Sequence, residues 1–184
     1  MRPPKKTTRG FTTKANSLVN ILTNDVLISE AFDPATGTPE LIKNKYKAIW
    51  DTGATNTVIC RKIVEELNLQ PSGRVTVSAV GHTYESNTYL INILLPNHVG
   101  IPGLRVSEGQ IAGADILLGM DIINHGDLAI TNHNGETWWT FRIPSNESID
   151  FVREIEEYNN KVNLGLPMNR HERRAQERKL KKKK

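Results

Sequence analysis

Asp51 is the acid in this sequence that folding gives least reason to expect. It lies in Ala48-Ile49-Trp50-Asp51-Thr52-Gly53-Ala54-Thr55-Asn56-Thr57-Val58-Ile59, where one apolar strand runs into an acid, a glycine permits a tight turn and a second apolar strand leaves. A carboxylate held in such a turn can take a proton from water or give one to a carbonyl oxygen. The competing reading is an Asp that only makes a turn by accepting backbone N–H groups. The bare triplet does not separate the two, because it arises by chance in on the order of a few percent of chains of this length. Other chemistry has less support. The five histidines show no metal-ligand spacing, and neither a Ser/His/Asp arrangement nor a phosphate loop is evident, so no metal or cofactor is expected. Cys60 follows an apolar strand and reads as packing rather than as a reactive thiol. Asn146-Glu147-Ser148 fits a glycosylation acceptor but has no secretory segment to go with it.

The elements that must position Asp51 follow from period and turn chemistry. Short β-prone runs occupy Leu18–Leu22 and Val26–Ile28, and a turn-rich stretch follows at 33–39. Tyr46–Trp50 reads as the strand delivering Asp51, and Thr57–Ile59 as the strand leaving. Arg61–Leu67 is a helix of about two turns with Ile63, Val64 and Leu67 on one face. Arg74–Val80 and Tyr84–Leu95 form a hairpin about Gly81-His82, and Pro96-Asn97 and Pro102-Gly103 interrupt what comes next. Ile116–Leu118 is a buried strand ending at Gly119, ahead of a short helix over Met120–Asn124. A last hairpin joins Asp127–Thr131 to Glu136–Ile143 through Asn134-Gly135, with Trp138, Trp139 and Phe141 as core or dimer contacts. Beyond Pro144 the period switches, and Phe151, Ile155, Tyr158 and Val162 make one stripe of an amphipathic helix.

The formal charge of +4 conceals an uneven distribution. Residues 1–14 hold five bases and no acid, and 170–184 hold nine bases against two acids, whereas 15–169 hold ten bases and eighteen acids. The high isoelectric point therefore belongs to the ends. This divides the chain into a flexible basic arm at 1–14, a mainly β domain at 15–145, a C-terminal helix at 146–168 and a basic tail at 169–184. The longest clear apolar run, Leu90–Leu95, is broken by Asn92 and is far too short for a membrane span. With one cysteine and a polar start, Met-Arg-Pro-Pro-Lys-Lys, the expectation is a cytoplasmic protein with no membrane partner.

The segment around Asp51 resembles the signature of the retropepsin-like aspartic proteases: an apolar pair, Asp-Thr/Ser-Gly-Ala, then an apolar strand. The family's second mark, an apolar pair and glycine leading into a short helix, is matched by Ile116-Leu117-Leu118-Gly119-Met120-Asp121-Ile122-Ile123, in a form similar to the bacterial and phage-type branch. The resemblance covers about residues 17–143. It implies a closed, folded β-barrel with one or two short helices, here extended by the C-terminal helix and tail. It further implies that Asp51 is the catalytic carboxylate, that the Thr52 hydroxyl bonds across a dimer axis, and that Gly53 lets the backbone approach the carboxylate. Ala54 would sit at the substrate edge, Val80, Gly81 and His82 at the tip of a flap over a bound peptide, and Gly119 behind the catalytic turn as a structural residue. Retroviral members often carry an ion pair between the positions occupied here by Thr55 and Met120. Both partners are absent, so that pair cannot help hold a dimer. Trp50 stands where an aliphatic residue is usual.

Such chemistry needs two carboxylates in one site, yet the sequence has no second Asp-Thr/Ser-Gly and is too short for two lobes. The resemblance therefore implies a homodimer in which Asp51 meets its own copy across a two-fold axis, cutting a peptide or protein substrate. Ala54 has no hydroxyl to favour the ionised pair, so activity is expected to extend toward neutral pH. A reading of a different class stays open: a catalytically silent, retropepsin-like module for dimerisation or for nucleic-acid tethering through the phosphate-binding potential of 169–184.

Overall fold

The structure is a computed structural model that describes residues 7–32, 44–79 and 81–165. In chain order its elements are β1 (Arg9–Lys14), β2 (Thr23–Glu30), β3 (Lys45–Trp50), β4 (Val58–Ile59), α1 (Arg61–Glu66), β5 (Gly73–Ala79), β6 (His82–Leu95), β7 (Val99–Glu108), β8 (Ile116–Leu118), α2 (Met120–Ile123), β9 (Asp127–His133), β10 (Glu136–Ile143) and α3 (Phe151–Asn163). The fold is mainly β, as the sequence predicts.

Alternation builds the core. Val26 and Ile28, Tyr46, Ala48 and Trp50, Tyr89, Ile91, Ile93 and Leu95, and Ile116 and Leu118 point inward along their strands and are buried. The strands pair in the order β2-β3-β8-β4-β7-β6, and β2 pairs with β6 as well, from Leu27 opposite Leu94 to Glu30 opposite Ile91. Six strands thereby close into a ring, which removes the exposed edges of an open sheet. β5 lies outside it, paired only to the first half of β6. β3 and β8 run parallel, with Trp50 opposite Leu118, so the two glycine turns leave the barrel at the same end.

Four sequence expectations need correction. Arg9–Lys14, placed in the flexible arm, is a strand paired to β10 from Arg9 opposite Ile143 to Lys14 opposite Trp138. Phe11 anchors it, buried against Trp50 and Phe141 with ring centroids 6.3 Å from each. Leu18–Leu22 is not a strand, and Leu18 and Ile21 are both 63% exposed, so β2 begins only at Thr23. Val99–Glu108, where Pro102-Gly103 suggested interruption, is a ten-residue strand. The irregularity is absorbed by a register shift between Ile91 and Ile93: the side-chain amide of Asn92 accepts from the Gly103 N–H at 2.9 Å and donates to the Glu30 carbonyl at 3.2 Å. Gly103 takes φ +64° there. Finally, His82 pairs with Ala79 and so belongs to β6 rather than to the hairpin turn, in which Gly81 takes φ +78°.

Trp50 is accommodated by a buried acceptor. The Asn24 side-chain oxygen takes the indole N–H of Trp50 at 2.8 Å and that of Trp139 at 2.9 Å, while its amide donates to the Thr13 hydroxyl at 2.7 Å. Asn24 thus ties the three-stranded sheet β1-β10-β9 to the strands that lead into Asp51. Trp139 and Phe141 are core residues, whereas Trp138 is exposed beneath the Lys14 ammonium, 4.0 Å from its ring centroid.

The chain divides into two compact units, 1–146 and 147–184. Within the second, α3 starts at an Asp150 cap whose carboxylate accepts from the Val152 and Arg153 N–H groups at 3.0 and 3.1 Å. The basic tail at 169–184, residues 1–6 and the 33–39 turn lie outside the described residues.

Candidate active site

Asp51 begins the turn at the end of β3, where its N–H donates to the Leu118 carbonyl at 3.0 Å. Its side chain is half-buried. The carboxylate oxygen Oδ1 accepts the Gly53 N–H at 2.8 Å, and the Asp51 carbonyl accepts the Ala54 N–H at 3.3 Å. A Cβ on Gly53 would sit 3.2 Å from that Oδ1, closer than a side chain comfortably allows, which is why glycine suits the position. Among the described residues no donor reaches the other carboxylate oxygen, so the turn fixes one oxygen and leaves its fellow open.

Behind this turn lies the second glycine motif. A Cβ on Gly119 would come within 2.6 Å of the Asn56 carbonyl carbon and 3.0 Å of the Ala54 oxygen, so only glycine allows this approach. The Met120 N–H donates to the Ala54 carbonyl at 2.8 Å, and the Asp121 N–H donates to the Thr55 carbonyl at 3.1 Å. Two side chains lock the motifs together. Asp121 accepts the Thr57 N–H at 2.8 Å through Oδ2 and the Thr57 hydroxyl at 2.7 Å through Oδ1, and the same hydroxyl accepts the Gly119 N–H at 3.2 Å. Thr57 is fully buried, and its hydroxyl both donates and accepts.

The structure therefore brings Asp51, Thr52, Gly53, Ala54 and Gly119 into one cluster. Thr52 and Gly53 are exposed at the surface, and Ala54 is half-buried. The expected flap tip is described only in part. Val80 lies outside the described residues, the side chain of His82 is likewise not described, and a Cβ on Gly81 would meet nothing within 4 Å. Thr57 and Asp121 are the supporting residues that sequence reasoning passed over. Their signal was available as a hydroxyl six residues after Asp51 and an acid two residues after Gly119.

A separate open cleft of about 990 Å³ lies among Arg61, Arg74, Tyr84, Glu85 and Glu108, and none of the cluster residues lines it. Cys60 also borders it and packs partly against the core. Among the described residues no group of three or more His, Cys, Asp or Glu side chains is placed to hold a metal ion, and no helix is long and apolar enough to cross a membrane.

Against known proteins, residues 40–125 match the family described as "gag-polyprotein putative aspartyl protease". That span contains both glycine motifs, and the resemblance to the retropepsin-like aspartic proteases holds in this comparison. No curated protein matches. Solved structures similar to this chain include a retropepsin-like aspartic protease from Rickettsia conorii, at 11% identity and a TM-score of 0.47 over 74% of this chain and 96% of that one. The EIAV protease complexed with the inhibitor HBY-793 is similar at 19% identity and a TM-score of 0.43, over 59% of this chain and 90% of that one. A simian foamy virus protease is similar at 17% identity and a TM-score of 0.39, over 55% of this chain and 91% of that one.

Proposed function

We propose that the chain is an aspartic endopeptidase that works as a homodimer, with one Asp51 from each copy. The observation that carries this is the Asp51 turn itself. One carboxylate oxygen is held by the Gly53 N–H, the other is unoccupied among the described residues, and the loop is braced from behind by Gly119 and Asp121. Two such turns face to face would place their carboxylates about 3 Å apart, where both cannot ionise and one proton is shared, as in aspartic proteases generally. The ionised member takes a proton from water as the water attacks the peptide carbonyl, and the protonated member donates to the carbonyl oxygen. No acyl-enzyme forms. Thr52, exposed at the turn, would bond across the axis, and Ala54 would border the bound peptide together with Val80, Gly81 and His82 of the hairpin.

The test is a diverse peptide library incubated with the wild-type protein and with Asp51→Asn. Asp51→Asn should remain folded and lose cleavage by on the order of 10³-fold or more. Cleavage at the wild-type rate would end the assignment. A cytoplasmic setting goes with this reading, since a single cysteine forms no intrachain disulfide. Contact between 169–184 and nucleic-acid phosphates is a separable property of the same chain. It would be seen as salt-dependent binding that disappears when this tail is removed, and binding that survives removal would refute it.

A further inference from the structure

Among the described residues, α3 presents an exposed apolar stripe. Phe151 is 63% exposed, Ile155 58% and Val162 40%. The helix has thirteen residues, and isolated helices shorter than about 12–15 residues are marginal in water, so the stripe needs a partner to be worth forming. Phe151, Ile155, Tyr158 and Val162 follow one another at intervals of four, three and four, a spacing compatible with the seam of a two-helix coiled coil.

We propose that α3 pairs with α3 of a second copy, antiparallel, about a two-fold axis midway between Ile155 and Tyr158. In that arrangement Phe151 meets Val162 of the other copy, and Ile155 meets the other Tyr158. The charges agree with it. Glu154 lies in the first turn and Lys161 in the last, both flanking the seam on the same side, so the antiparallel pair sets Glu154 beside the opposing Lys161 twice. Glu156 and Glu157 fall on the outer face. A parallel pair would instead put Glu154 opposite Asn159 and gain no ion pair. The helix itself holds Glu154, Glu156 and Glu157 against Arg153 and Lys161, so its own polar face has no excess of bases to draw it to anionic lipid. This pairing does not depend on peptide cleavage.

Disulfide trapping in the full-length chain tests it, with Cys60→Ser as background so that no other thiol is present. Phe151→Cys and Val162→Cys chains are co-expressed, and each is also made alone. In the antiparallel pair each of these positions lies about 16 Å along the axis from its own copy, beyond disulfide reach, while the two unlike positions face one another. The expected result is a linked dimer from the co-expressed chains and none from either variant alone. Glu154→Lys should lower the linked yield about threefold, and adding Lys161→Glu to the same chain should restore it. Self-linking of either single variant would mean parallel pairing and would overturn the proposal. Failure of the mixture to link would overturn it too, leaving the stripe to another occupant. Because linking is read whether or not peptide is cut, failure here is distinct from failure of the Asp51 reading.

Discussion

Thr57 has a single hydroxyl that donates to Asp121 and accepts from Gly119, in a position with no access to water. Thr57→Val keeps the shape and removes that oxygen, which strands the Gly119 N–H and one carboxylate bond in the interior. Stability should fall by about 2–3 kcal/mol. Because Gly119 and Asp121 brace the Asp51 turn, peptide cleavage should fall as well. Urea unfolding and a peptide assay check both, and an unchanged midpoint would show that the brace is not stabilising. The position of Asp51 was legible in the sequence because a carboxylate set between two apolar strands contributes little to a core. Its brace was not, because Thr57 read as the first residue of a strand and Asp121 as an ordinary acid of a short helix. It is the antiparallel pairing of β4 with β8, Val58 opposite Leu117, that brings them within hydrogen-bonding distance.

Among the elements, those with a clean period were readable: the strand into Asp51, α1, the hairpin of β5 and β6, and the amphipathic stripe of α3. Two strands were not. β7 carries Pro102-Gly103, a signal of interruption that loses its force when the side chain of Asn92 fills the irregularity opposite. β1 is short and basic and has Phe11 as its one anchor, so its structure depends on a β10 that lies more than a hundred residues away. The junction after β10 makes a prediction of its own. Asp127 accepts the Ser145 hydroxyl at 2.5 Å, the Asn146 N–H at 3.0 Å and the Arg142 guanidinium at 2.7 Å, and these donors hold its carboxyl down at about 2. A carboxyl depressed in the folded state contributes stability above its ordinary pKa, and that contribution is lost as pH falls through the folded value. Asp127→Asn should therefore be less stable than wild type at neutral pH, and the gap should close between about pH 4 and about pH 2. Thermal unfolding across that range measures it, and a constant gap would contradict the linkage.

At the scale of the whole molecule, the closed ring of six strands explains how one domain holds both glycine turns at one end. Barrel closure was expected from the family resemblance rather than from any periodicity. The pairing of β2 with β6 that completes it joins residues over sixty positions apart, beyond what local pattern can reveal. The claim that matters most is that two copies of Asp51 make one site. It is tested most directly by measuring peptide cleavage per chain as the protein is diluted, and again as Asp51→Asn is added in excess to a fixed amount of wild type. A shared site predicts that activity per chain falls on dilution and that the added variant extinguishes it by forming mixed dimers with a single functional carboxylate. Activity per chain that ignores both concentration and the variant would contradict the account.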